Sequence, residues 1–125
     1  MKYLYIAIIS LLFIPISYSK EPVFTTDLLD AIALADETKQ DVLAVFTADW
    51  CKYCSVMKKD IQDDQKIVDD MIICYIDVDK NPDLKKEYKV KTIPDYMIIR
   101  KRVELKRKVG YTSKKQFIEW LKNVK

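Results

Sequence analysis

The sequence predicts an α/β fold, a mixed central sheet of four or five strands flanked by helices. Three observations lead there. Helical and extended patterns alternate along most of the chain, as they do where a parallel core is covered on its faces. Two largely apolar runs, Val42–Phe46 and Met71–Val78, lack polar alternation and suit strands buried on both sides. Tyr96–Arg100 and Val103–Val109 follow each other too closely for a helical crossover, so they close as an antiparallel hairpin.

The chain has 125 residues, enough for one domain. Half are apolar and a third charged, a globular balance. One Gly and four Pro leave little room for a flexible linker. The first residues stand apart. Met1-Lys2 is a short positive start, Tyr3–Ile16 is apolar apart from Ser10, and Ser17-Tyr18-Ser19 puts small residues at the −3 and −1 positions of a cut after Ser19. This reads as a signal peptide over 1–19 followed by a domain over 20–125, exported to the periplasm or a similar oxidising compartment. The alternative is an uncleaved membrane anchor, for which the 14-residue run is short against the ~20 residues a spanning helix needs.

Val23-Phe24 is a short candidate first strand. Residues 27–39 read as a helix with Thr26 as N-cap and Leu28, Ile32 and Ala35 on one face. After Val42–Phe46, Cys51–Met71 reads as helix in two pieces. Cys54, Met57 and Ile61 share a face in the first, and Asp63-Asp64 offers a fresh cap for a second with Ile67, Val68 and Met71. Asn81-Pro82 is a cap with Pro at the first helical position, opening a short helix through Tyr88. The hairpin turn after Arg100 contains no Gly, which is unusual. Ser113-Lys114-Lys115-Gln116 is a capping box, and the helix it opens turns Phe117, Leu121 and Val124 inward.

Charge is divided along the chain. Residues 20–84 carry a net −8 and residues 85–125 a net +10, densest over Arg100–Lys108. Such a run suits either a surface for an acidic partner or lipid headgroup, or a solvated edge hairpin whose charges block edge-to-edge association. Alternation of Val103 and Leu105 within the run favours the hairpin. No recognition motif accompanies it, so nucleic acid is not an expected partner.

The chemistry concentrates at Phe46-Thr47-Ala48-Asp49-Trp50-Cys51-Lys52-Tyr53-Cys54. A buried strand ends in a polar turn, and two cysteines two residues apart open a helix. Unpaired N–H groups and the partial positive charge of a helix start favour a thiolate over a thiol, and the thiolate is what attacks a disulfide.

Three segments together resemble the thioredoxin-fold proteins: Trp50-Cys51-Lys52-Tyr53-Cys54 after a buried strand, Asp77-Val78-Asp79-Lys80-Asn81-Pro82, and Thr92-Ile93-Pro94 ahead of a hairpin. The likeness runs from about Asp27 to Asn123. Ala48-Asp49-Trp50-Cys51 and the broken helix with Asp64 and Val68 are most similar to one branch, the thioredoxin-like domain of bacterial thiol:disulfide interchange proteins. The resemblance implies a thiol–disulfide oxidoreductase in which Cys51 is the nucleophile, Cys54 the resolving thiol, and the two form the redox-active disulfide. It implies a cis-proline turn at Ile93-Pro94 whose backbone pairs with substrate, and a Trp50 that shields the thiols and contacts substrate. Lys52 and Tyr53 would tune the couple, with Asp95 as a further modulator beside the groove. The partners implied are protein thiols and disulfides and a membrane redox partner, met by a monomer with no cofactor and no metal.

The chain departs from the family at three places. Val45 stands where many members bury an acid beneath the resolving Cys, and Tyr75 where a Lys is often found. Asp95 follows Pro94 where an uncharged residue is usual, leaving water or Asp95 to take the proton from Cys54 and setting Asp95 against Lys52 over the charge on Cys51. Cys74, mid-strand, reads as a buried inert thiol, with a regulatory or intermolecular role as the alternative. Two other functions compete. One is a non-catalytic thioredoxin-fold adaptor. The other is a metal-binding module of Cys51, Cys54 and Cys74, disfavoured by the absence of any His.

Overall fold

The computed structural model describes residues 21–124. The segment 1–19, read above as a signal peptide, lies outside them. The elements are β1 (Val23–Thr25), α1 (Leu28–Thr38), β2 (Asp41–Thr47), α2 (Lys52–Asp63), a 3₁₀ turn (Gln65–Val68), β3 (Met71–Asp77), α3 (Pro82–Glu87), β4 (Asp95–Arg100), β5 (Val103–Val109) and α4 (Lys114–Lys122). The five strands form one sheet in the order β1-β3-β2-β4-β5. β1, β3 and β2 run parallel, while β4 and β5 are antiparallel additions. The mixed sheet expected from the sequence is present, including the short first strand.

β2 sits at the centre and divides the apolar residues into two layers. Val42, Ala44 and Phe46 face a layer with Leu28, Ala31 and Ala35 of α1 and with Ile72, Ile76 and Met97. Leu43 and Val45 face the other, with Met57 and Ile61 of α2 and Phe117 and Trp120 of α4. Alternate side chains of a strand point to opposite faces, so a strand clad on both sides must be apolar throughout.

Several element ends differ from the sequence expectation. Asp27, not Thr26, caps α1, its carboxylate accepting from the Asp30 N–H at 3.1 Å. The buried stripe of that helix is Leu28, Ala31 and Ala35, with Ile32 at its margin. The second piece of the broken helix is a single 3₁₀ turn, and Met71 belongs to β3. The Asp64 carboxylate makes no cap and pairs with Lys114 at 3.0 Å. The Asn81 side chain donates to the Asp77 carbonyl at 2.9 Å instead of capping α3. Ser113 and Gln116 form the expected capping box on α4, whose buried residues are Phe117 and Trp120.

The β4–β5 hairpin closes through Lys101 and Arg102, with φ of 49° and 67°. Both central residues in the left-handed region is the pattern of a type I′ turn, which matches strand twist but favours Asn-Gly. Tertiary charge pairs flank this turn. Arg100 is bidentate to Asp41 at 2.8 and 2.7 Å, and Arg102 reaches Asp36 at 2.8 Å. A register shift between Ile98 and Ile99 leaves Leu105 as the extra residue of a bulge.

Replacing Lys101-Arg102 by Asn-Gly is expected to stabilise the fold. Left-handed backbone costs an ordinary residue about 1 kcal/mol, more than the exposed Arg102–Asp36 pair returns. The urea midpoint should rise without a change in slope, and a lower midpoint would show the ion pair to be the larger effect.

Candidate active site

β2 ends at Thr47, and a tight turn follows in which the Cys51 N–H donates to the Ala48 carbonyl at 3.1 Å. Cys51 is then the N-cap of α2. Its backbone is extended, and its Sγ accepts from the Cys54 N–H at 3.3 Å. Its carbonyl takes both the N–H and the hydroxyl of Ser55. Sulfur thus occupies the place where a capping oxygen would sit, and the helix start is directed at it. Cys51 and Cys54 form a disulfide with Cα atoms 5.3 Å apart. Both cysteines are nearly enclosed, at 6 % and 3 % exposure, so Cys51 is the more accessible by a narrow margin.

Trp50 precedes the pair and Tyr53 lies between the two cysteines. Trp50 is 71 % exposed, and its indole N–H donates to the Asp79 carboxylate at 2.8 Å. Asp79 is presented by a turn that the Asp77 carboxylate organises by accepting from the N–H groups of Asp79 and Lys80. Tyr53 is exposed on the first turn of α2, and its ring meets that of Tyr111 with centroids 5.1 Å apart. Lys52 is exposed beside it.

Ile93 is half-buried, Pro94 is buried, and the bond between them is cis. The Pro94 carbonyl accepts from the Gly110 N–H at 2.7 Å. Gly110 is the only glycine in the chain, with φ +88°, and a Cβ there would meet nothing within 4 Å. Backbone conformation, not space, requires glycine at this point.

Asp95, read from the sequence as a modulator beside the groove, is enclosed. It is 1 % exposed, and both its oxygens accept from the Arg107 guanidinium. That bonding raises the Arg107 pKa above its ordinary value. Val45 is buried, paired in register with Tyr75 on one side and Tyr96 on the other. Both tyrosine hydroxyls are buried without a hydrogen-bond partner among the described residues. Burial pushes the Tyr75 phenol up to about 12 and raises that of Tyr96 as well, so neither can serve as a base near neutrality. Cys74 is fully buried in β3, and among the described residues no three His, Cys, Asp or Glu side chains gather to hold a metal ion.

Four contributors were assigned no role from the sequence: Asp79, Arg107, Gly110 and Tyr111. Asp79 lies in the Asp77–Pro82 segment, Arg107 in the basic run and Gly110 just after a strand, while Tyr111 left no signal.

Known proteins share this fold. The thioredoxin-like domain family matches residues 28–125. The chain belongs to the thioredoxin-like family. A thioredoxin of Buchnera aphidicola is 31 % identical over 86 residues, covering 68 % of this chain and 79 % of that one. A thioredoxin of Rickettsia bellii is 29 % identical over 83 residues, covering 66 % and 79 %. Solved structures agree on the fold. A mutant thioredoxin from Halobacterium salinarum superposes with TM-score 0.67 at 23 % identity, over 85 % of this chain and 92 % of that one. Trxlp from Edwardsiella tarda gives 0.68 at 20 %, over 78 % and 97 %. The Cys51–Cys54 pair and these relatives make this thioredoxin-like protein a thiol–disulfide oxidoreductase.

Two consequences can be measured. Tyr96→Phe removes a buried hydroxyl that bonds nothing among the described residues, so stability should hold or rise by about 1 kcal/mol in urea unfolding; a loss of that size would reveal a hidden partner. The second concerns alkaline pH. Burial first, and the Asp27 carboxylate second, push the Cys74 thiol from 9.0 up to about 12. The folded chain keeps this proton where the unfolded chain has lost it. Stability is therefore full below about pH 9 and falls progressively towards pH 12. Cys74→Val should flatten the first part of that decline, and the native Cys74 thiol should resist iodoacetamide at about pH 8 until urea unfolds the chain.

Proposed function

We propose that this thioredoxin-like protein is exported, is freed by cleavage after Ser19, and works as a monomeric reductase or interchange protein on protein disulfides. The observation that supports the chemistry is Cys51 Sγ at the N-cap of α2, hydrogen-bonded by a backbone N–H. The same contact that steadies sulfur in the disulfide stabilises negative charge on it after reduction. Export is supported by the charge, apolar run and small residues of the first nineteen positions.

In the reduced protein the Cys51 thiolate attacks one sulfur of a substrate disulfide. That S–S bond breaks, a mixed disulfide forms, and the departing sulfur takes a proton from water. Cys54 then loses its proton and attacks Cys51 Sγ, which releases the substrate as a dithiol and leaves the Cys51–Cys54 disulfide. Two electrons have passed to the substrate. An exported reductant needs them returned by a dithiol partner in the membrane.

Trp50, Ile93 and Pro94 form the substrate-contacting surface in this reading. Lys52 and Tyr53 adjust the couple from the first turn of α2. Lys52 favours the Cys51 thiolate, and the opposing charge of Asp95 is neutralised by Arg107. The balance between Lys52 and Asp95 therefore tilts to Lys52.

The mature chain should reduce insulin catalytically with dithiothreitol. Cys51→Ser should fall to the uncatalysed rate, and Cys54→Ser should accumulate mixed disulfides with exported proteins. Equal trapping by both variants would refute the assigned roles, and retention of the protein in the cytoplasmic fraction would refute export.

A further inference from the structure

Immediately after Pro94 the chain holds a charged pair, its carboxylate buried and its guanidinium half-buried, that neither gives nor takes a proton in the exchange. Asp95 opens β4 opposite Val109, which makes Arg107 its diagonal neighbour on the same face of the hairpin. Met97, on that face, packs in the layer that includes Cys51 and Cys54. Arg107 Nε donates to the two carboxylate oxygens at 2.9 and 3.2 Å, and Nη2 donates to Oδ2 at 2.7 Å. The Asp95 side chain is 2 % exposed and that of Arg107 25 %.

β5 and the glycine that follows it therefore hold the Pro94 turn twice. Gly110 grips the Pro94 carbonyl through its backbone, and Arg107 grips the next side chain through a planar fork. A bidentate guanidinium fixes orientation as well as distance, which a lysine ammonium does not. A buried pair of this kind is weak evidence for stability, because apolar residues of similar volume often serve as well. Its geometric effect is specific: it ties the residue after Pro94 to β5 in one orientation. Order established in advance lowers the cost of binding.

We propose that Asp95–Arg107 is a positioning pair for substrate, locking the Pro94 turn onto β5 so that the Ile93 backbone is set for a substrate strand before one arrives. This rests on the reading of Ile93-Pro94 as the substrate-contacting turn. Arg107 acts through the turn and touches neither sulfur nor substrate.

The test compares the wild-type chain with Arg107→Lys and with the double variant Asp95→Leu/Arg107→Leu. The double variant removes both charges together, since Arg107→Leu alone would strand a buried carboxylate. Reduction of insulin gives kcat and KM. Reduction of the Cys51–Cys54 disulfide by dithiothreitol, a small dithiol that needs no strand pairing, gives the rate of thiol exchange alone. Backbone ¹⁵N relaxation reports order at residues 92, 93 and 95, the amides on either side of Pro94. In the double variant KM for insulin should rise about fivefold or more, exceed any change in the dithiothreitol rate by a similar factor, and accompany loss of order at residues 92, 93 and 95 with β2 and β3 unaltered. Arg107→Lys should fall between. An unchanged KM with an ordered turn overturns the proposal, and so does a dithiothreitol rate that falls in parallel with insulin reduction. A wild-type chain that does not reduce insulin refutes the proposed function instead; relaxation then decides the pair, and an equally ordered turn in the double variant rejects it.

Discussion

The site depends on β2 being bonded on both edges and covered on both faces. β3 pairs with it in parallel from Asp41 to Thr47, and β4 pairs antiparallel over Val42–Phe46. Val42, Leu43, Ala44 and Phe46 are at most 1 % exposed. Such a strand cannot slip by one residue without exchanging its two apolar faces, so its end has one place to be. Four residues after Thr47 the chain caps α2 with Cys51. The neighbouring strands bring the rest to the same edge. β3 ends at Asp77, whose carboxylate shapes the turn holding Asp79 against Trp50, and β4 begins at Asp95 just after Pro94. Chemistry at the carboxyl ends of parallel strands is here a consequence of one strand that has no freedom.

The division of charge along the sequence becomes pairing in the fold. Arg100 meets Asp41, Arg102 meets Asp36, Lys114 meets Asp64, and Lys106 covers the Trp120 ring while donating to its carbonyl. The acids of the first three pairs come from the acidic half and the cations from the basic half. Exposed pairs of this kind contribute little energy each. Their effect is directional: Arg100 and Arg102 tie the closed end of the β4–β5 hairpin to β2 and α1, Lys106 and Lys114 tie α4 to β5 and to the end of α2, and Gly110 and Arg107 tie the open end of the hairpin at the Pro94 turn. Much of the basic run that could have suggested an acidic partner is bonded within the molecule.

The residues whose burial is decided by local pattern were the ones the sequence disclosed. Val42–Phe46 and the apolar part of β3 are legible because a strand covered on both faces leaves no polar gap. Asp41 and Asp95 extend their strands one residue past what the pattern predicts, since each finds a distant arginine that makes a carboxylate tolerable there. The Lys101-Arg102 turn gives no local sign, as neither residue prefers positive φ and the stabilising acids lie some sixty residues away. The site divides in the same way. Cys51, Cys54, Trp50 and Pro94 are contiguous with motif or turn. Asp79 and Tyr111 matter through contacts that exist only once three elements have packed. Arg107 could have been placed diagonal to Asp95 from hairpin register alone, but only with the turn located and the bulge at Leu105 counted.

The substitution at Val45 alters how the proposed exchange must work. Register places Tyr75 and Tyr96 on either side of it, and both phenols hold their protons more firmly than usual. Asp95, the other buried acid near the site, has both oxygens engaged by Arg107. Neither the phenols nor this carboxylate is then free to take a proton from Cys54 as it turns on the mixed disulfide. What the fold does supply is a helix start aimed at Cys51 Sγ, with Lys52 on its first turn. That contact favours the Cys51 thiolate, the nucleophile of the first step, and leaves the Cys54 proton of the second step to water. The well-formed N-cap and the missing acid thus act on different sulfurs: the first promotes attack on substrate, and the second leaves resolution without a dedicated base.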